Sequence, residues 1–291
     1  MPPFDTTTPA EATPRPHRLP DQVRGALRML EGALARRALN AAHRPAAPRE
    51  GLIAASYNIH KCVGMDKRFD PRRVADVIAE LGADVVALQE ADRRFGHRAG
   101  LLDLAHLERH AGLTLIPASP VDGGHGWHGN ALLVRGGRAT RVRRLALPGA
   151  EPRGALIVDL ALDGGPLRVV AAHLGLLRRH RLRQAEAILT AVRDAPAMPT
   201  LLLGDMNEWR PGIASSLAVL EPMFGPFGHP VPSFPSRLPF LALDQVLGHP
   251  RGLVAATHVH DSPLARLASD HLPIWARIDV AAAAETGSAA A

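Results

Sequence analysis

The chain of 291 residues contains one cysteine, Cys62. A single thiol excludes an internal disulfide and a thiolate zinc cluster, and it gives no argument for an oxidising compartment. The plain reading of Cys62 is a small buried apolar side chain. No apolar run reaches the roughly 18 residues of a membrane-spanning helix. Residues 1–20 (MPPFDTTTPAEATPRPHRLP) lack the apolar stretch of a signal peptide. Together these absences set the expectation of a cytoplasmic protein. The sequence also has no HExxH, no GxxxxGK[ST] and no GxSxG. Zinc-protease, nucleoside triphosphate and serine-ester chemistry therefore lose their usual signatures.

What is present is a 46% apolar composition, enough for a sizeable core, and a net charge of +6 in which arginine far outnumbers lysine. Arginine suits a phosphate-bearing partner, although so modest a surplus also serves solubility. The Pro- and Thr-rich residues 1–20 read as a disordered tail. Residues 21–43 read as a basic amphipathic helix, opened by Asp21 as N-cap, with Val23, Leu27, Leu30, Leu34 and Leu39 near one face. Such a helix packs on its own domain or rests peripherally on a membrane. Residues 44–50 read as a linker and the Ala-rich residues 281–291 as a second disordered tail.

Between them, residues 51–280 alternate strands and helices, an α/β pattern. Strands are expected at 52–58, 84–89, 130–135, 155–162, 167–173, 199–204, 243–248 and 271–279. Helices are expected at 71–81, with Pro71 in the first turn, and at 102–111, 178–194 and 212–220. The stretch from Phe224 to Phe240 reads as a long loop over one face.

Five of the apolar strands meet a polar residue at one end: Asn58, Glu90, His173, Asp205 with Asn207, and Asp270 with His271. One such strand end is an ordinary Asx cap. Five in one domain suggest a single polar site, because ligands of layered α/β folds bind beyond the ends of core strands. Hard oxygen donors and imidazoles without a thiolate suit Mg²⁺ or Mn²⁺ better than structural zinc.

In order, the segments YNIH (57–60), ALQE (87–90), HGNALLVR (128–135), AAHLGL (171–176), GDMN (204–207), LDQVL (243–247) and SDHLP (269–273) resemble the endonuclease/exonuclease/phosphatase superfamily, which includes deoxyribonuclease I. The resemblance covers about residues 50–280. It implies a four-layer sandwich, two face-to-face mostly antiparallel sheets flanked by helices, and metal-dependent hydrolysis of phosphate esters. It further implies Glu90 as the principal metal ligand, with Asn58 beside it completing the shell or holding the phosphate, and Asp270 orienting the site or holding a second ion. Asp205 would orient or deprotonate the attacking water, and Asn207 would donate to a phosphoryl oxygen. Asp244 would pair with His271, His173 would act on the phosphate or the leaving group, and Arg153 would face the phosphate. His60 stands where abasic-site endonucleases commonly carry an acid, which argues against that branch.

The implied enzyme is a Mg²⁺- or Mn²⁺-dependent phosphodiesterase acting on a phospholipid or a nucleic acid, with no protein partner implied. An inositol-phosphate-type phosphatase and a non-catalytic scaffold are the weaker alternatives. Four of the seven phenylalanines lie between Phe224 and Phe240. With the helix of residues 21–43, they lean the expectation toward a lipid ester and a peripheral contact at the inner membrane surface.

Overall fold

The structure, a computed structural model, describes residues 51–93, 96–210, 212–229 and 231–280. The expected tails (1–20, 281–291), helix (21–43) and linker (44–50) lie outside the described residues. Two sheets carry the chain. The first, of six strands, has the order β10(Val254–Val259), β11(Ile274–Ile278), β1(Leu52–Asn58), β2(Val85–Gln89), β4(Ala131–Val134), β3(Thr114–Leu115). The second, of five, runs β5(Arg138–Leu147), β6(Arg153–Leu162), β7(Gly165–His173), β8(Thr200–Asp205), β9(Asp244–His249). Neighbours are antiparallel except β1 with β2 and β7 with β8. Those two parallel pairs need crossovers, which the helices α1(Pro71–Leu81) and α3(Arg178–Arg193) supply.

Alternation along each strand sorts the core into layers. Ala54, Val85, Ala87, Leu132, Leu156, Val158, Val169, Ala171, Leu201, Leu203 and Val246 meet between the sheets. Ala55, Tyr57, Val86 and Leu88 face outward onto α1, α2(Leu104–Ala111) and α5(Pro263–Ala268). Val170, Ala172 and Leu202 face outward onto α3 and α4(Glu221–Phe224). The result is the expected four-layer sandwich. Helix α1 has the expected bounds for local reasons: Asp70 accepts from Arg73 N at 3.0 Å, Pro71 opens the first turn, and Gly82 closes it at φ 58°.

Several expected elements differ. Residues 212–220 are two short 3-10 turns, Gly212–Ala214 and Ala218–Leu220, not an α-helix. The last strand begins at Ile274 rather than 271. Strands β3, β5 and β10 and helix α5 were not expected. The phenylalanines do not form an open apolar face: Phe224 is buried against α3, Phe227 packs on the same cluster, and Phe234 lies 4.9 Å from the His271 ring. Buried apolar surface wins over exposure there.

The loop after β8 is tied to α3 by a buried ion pair, Arg181 to Glu208 at 3.1 Å, with Ser216 also donating to Glu208. Burial pushes the Glu208 carboxyl up, but the Ser216, Arg210 and Arg181 donors outweigh it and hold it down at about 2. A lowered folded pKa gives stability that is present above 4.5 and lost as pH falls through about 2. Replacing Glu208 with Gln strands the guanidinium without a countercharge. Urea unfolding near neutral pH is expected to show a loss of about 3 kcal/mol. An unchanged midpoint would mean that the pair does not hold this loop.

Candidate active site

The polar cluster follows from strand parity. In β1 the side chains of Ala54, Ser56 and Asn58 share the inter-sheet face; in β7, Val169, Ala171 and His173 do; in β8, Leu201, Leu203 and Asp205 do. The β7 and β8 rows are apolar until their last position, and the β1 row is broken before Asn58 by Ser56, whose Oγ donates to Gln89 Oε1. His173 pairs in register with Asp205, and Asp205 with Asp244, so three adjacent strands place these groups side by side. Gly204 makes this possible. At φ 149° its missing side chain leaves room for Ala172 O, which a Cβ would approach to 1.8 Å.

Asp205 is the hub. Its Oδ2 accepts from Asn58 Nδ2 at 3.0 Å and lies 3.3 Å from His173 Nε2 and 3.7 Å from His271 Nε2. Its Oδ1 accepts from Asn207 N at 3.0 Å. His271 Nδ1 is 2.9 Å from Asp244 Oδ2, which also accepts from Ser233 Oγ. Asp205, Asp244, His173 and His271 are all buried.

Burial pulls the His173 imidazole down to about 3, against the Asp205 carboxylate and in concert with the Arg153, His271 and Lys61 charges. Burial acts the same way on His271. There the carboxylates of Asp244 and Asp205, the Asp244 hydrogen bond and Asp270 prevail, raising it to about 10. The two imidazoles beside one carboxylate are thus pushed in opposite directions, His173 toward the neutral form and His271 toward the cation.

Asn58 Nδ2 holds Asp205, while its Oδ1 accepts from His60 N at 3.1 Å and keeps its second lone pair. Asn207 sits at φ 50° with its Nδ2 donating to Leu174 O at 3.0 Å, which leaves its second amide hydrogen for a ligand. Arg153 is bound to Glu151 through Nε and Nη2 at 3.1 and 2.8 Å, yet its charge is felt at His173. Asp270 Oδ1 lies 3.8 Å from His60 Nδ1 and 3.4 Å from Ser269 Oγ. Trp127 is engaged elsewhere: its Nε1 donates to Leu145 O at 3.1 Å and its ring stands over Gly154.

Glu90, in a left-handed turn at φ 58°, receives the ammonium of Lys61. Lys61 was not picked out by sequence reasoning, and it is one of two lysines in the chain, with Lys67. His60, Lys61 and Cys62 all have positive φ (44°, 56° and 59°). Such backbone costs on the order of 1–3 kcal/mol per residue and persists where the surroundings impose it. Here buried Cys62, anchored at 3.9 Å on Leu101 O, fixes the turn that delivers Lys61. Ser233, the second partner of Asp244, was missed as well; only the fold brings it there.

Among the described residues no three His, Cys, Asp or Glu side chains gather as a metal cage. Mg²⁺ does not need one, since it is held by one or two carboxylates together with waters and substrate phosphate oxygens. Glu90 is the carboxylate that would take that role, and the Lys61 ammonium that now rests on it marks it as a place for a cation that an ion would have to displace. Asn58, in register with Gln89 next to Glu90, would offer a hard oxygen donor, and Asp270 a further carboxylate.

Among solved structures, an endonuclease/exonuclease/phosphatase from Beutenbergia cavernae is 22% identical, with a TM-score of 0.59 over 79% of this chain and 72% of that one. One from Bacteroides vulgatus is 17% identical, with a TM-score of 0.62 over 80% and 100%. The D. rerio TDP2 complexed with a single-strand DNA product is 16% identical, with a TM-score of 0.56 over 78% and 98%. At these identities the likeness establishes the fold. No curated protein sequence matches the chain. The sequence profile of the Endonuclease/Exonuclease/phosphatase family matches residues 55–271, most of the chain and every strand end that meets at Asp205. The chain belongs to the Endonuclease/Exonuclease/phosphatase family.

Proposed function

We propose that the protein is a metal-dependent phosphoric ester hydrolase that cleaves a phosphodiester with water. The observation that carries this reading is the Asp205 carboxylate held among Asn58, His173 and His271 at 3.0–3.7 Å. Asp205 takes the proton of the attacking water. The His271 imidazolium, fixed by Asp244, lays its Nε2 proton against a phosphoryl oxygen and neutralises the charge that builds there. His173, kept neutral, contributes a hydrogen bond rather than a charge. Asn207 donates its remaining amide hydrogen to the phosphate. Lys61, resting on Glu90, supplies a further cation at the rim.

A divalent ion, Mg²⁺ or Mn²⁺, held by Glu90 and Asn58 with Asp270 nearby, would polarise the phosphoryl oxygens and stabilise the departing oxygen. The test is hydrolysis of bis(p-nitrophenyl) phosphate with Mg²⁺, Mn²⁺ or EDTA. Turnover with either metal that EDTA abolishes is expected; no turnover with any metal would sink the reading. A nucleic acid substrate is the second reading, favoured by the DNA product in the TDP2 neighbour.

A further inference from the structure

Among the described residues, eight large apolar side chains are exposed, and four of them lie on the two loops that follow β7 and β8. Leu176 (65% exposed) and Leu177 (48%) lie on the loop that follows His173. Trp209 (48%) and Ile213 (98%) lie on the loop that follows Asp205 and Asn207. The two loops are joined: Leu174 N donates to Asp205 O at 2.9 Å, Asn207 Nδ2 to Leu174 O at 3.0 Å, and Arg178 Nε to Ala214 O at 3.1 Å. The other four, Phe69, Val121, Val142 and Leu267, fall on four separate segments. Leaving two leucines, a tryptophan and an isoleucine in water brings the fold nothing, so the cluster calls for a covering.

The exposed charge on these loops is mostly cationic; Glu151, whose Oε1 accepts from Leu176 N at 3.0 Å, is paired with Arg153, and Glu186 lies two turns into α3. Arg178, Arg179 and Arg183 are exposed on the first turns of α3, and the Arg210 guanidinium stacks over the Trp209 ring at 4.5 Å. The acid within these loops, Glu208, is buried and neutralised by Arg181. Helix α3 itself begins without a side-chain cap, at Leu177. Three cations at a helix N-terminus oppose its dipole, a cost that an anionic surface offsets.

We propose that this rim is a docking surface for an anionic phospholipid bilayer. It would carry the Asp205 site to the headgroup level and make a lipid phosphate ester the substrate. The proposal rests on the hydrolase reading for the chemistry of the site, though not for the docking. Apolar tips among arginines are the composition of an interfacial membrane contact, where the tips enter the acyl boundary and the guanidinium groups meet the phosphates. A nucleic acid would use Trp209 and the arginines but would leave Leu176, Leu177 and Ile213 without a partner, since they offer neither a hydrogen bond nor an aromatic face.

The test compares the full chain with a Leu176→Glu/Ile213→Glu double variant. Both side chains are exposed, and neither belongs to the catalytic machinery. Co-sedimentation with vesicles of equimolar phosphatidylglycerol and phosphatidylcholine is expected to fall about tenfold or more in the variant. Hydrolysis of soluble bis(p-nitrophenyl) phosphate is expected to stay within about twofold. Wild-type protein should bind pure phosphatidylcholine vesicles much more weakly. Absence of wild-type binding, or equal binding by the variant, overturns the proposal. So does a variant that loses single-stranded DNA binding or self-association while keeping its vesicle binding. Failure of the hydrolase reading would appear separately, as absent bis(p-nitrophenyl) phosphate turnover by the wild type.

Discussion

Replacing Asp205 with Ala is expected to lower kcat for bis(p-nitrophenyl) phosphate by about 10³- to 10⁴-fold, with the Mg²⁺ or Mn²⁺ requirement unchanged in the residual rate. The size of the effect follows from the geometry. One carboxylate receives Asn58 Nδ2, Asn207 N and the two imidazole Nε2 atoms. Removing it deletes the proton acceptor and releases two rings and two amides. Asp205→Asn is expected to be no milder, because its amide would present hydrogens to groups that already donate. Circular dichroism of both variants separates loss of chemistry from loss of fold. A folded Asp205→Ala variant that keeps its rate within about tenfold would remove Asp205 from the mechanism.

Asp244→Asn is expected to lower kcat by about 10²- to 10³-fold, the cost of losing the group that fixes a catalytic imidazole and its charge. It should also change how stability depends on pH. The folded pKa of His271 is raised from 6.5 to about 10. The sign follows directly: a raised folded pKa gives stability fully present below 6.5 and lost progressively as pH rises toward about 10. Urea unfolding of the wild type should therefore weaken steadily across that window. In Asp244→Asn the attraction is gone, His271 loses its proton at lower pH, and the curve should flatten. Equal slopes for the two proteins would show that Asp244 does not hold the charge on His271.

These two experiments probe groups that were readable in the sequence to different degrees. His173 and Asp205 stand out because each ends an apolar row of period two, and Asn58 because it ends a largely apolar strand; a polar side chain at the last inward position has few other uses. Asp244 has no such pattern behind it, since it opens β9 rather than closing an apolar row; it was found through the family resemblance. Ser233, its second partner, was not found. Its contact closes between residues separated by a loop whose course no local propensity dictates. Lys61 was missed for a related reason: three successive left-handed residues are the opposite of what His, Lys and Cys prefer, so only the surrounding packing accounts for them.

The same contrast holds for secondary structure. Helix α1 carries its own N-cap, its proline and its C-terminal glycine, and it falls where expected. Strand β5, RATRVRRLAL, is an edge strand with arginines on both faces. It therefore shows no apolar alternation and passed unnoticed. Residues 212–220 have helix-like spacing, but Ser215 and Ser216 turn inward, and Ser216 serves Glu208, so the segment breaks into two 3-10 turns.

By itself the sequence determined the layered α/β architecture and the polar residues at its strand ends, because each is written in local period and residue type. Tertiary structure alone decided which apolar residues remain in water. Phe224, Phe227 and Phe234 pack against the α3 cluster and His271, whereas Leu176, Leu177, Trp209 and Ile213, scattered in sequence and inconspicuous there, stay exposed on the two loops that follow His173 and Asp205. Burial is a property of distance in space, and no spacing along the chain encodes which of two apolar clusters the core has room to accept.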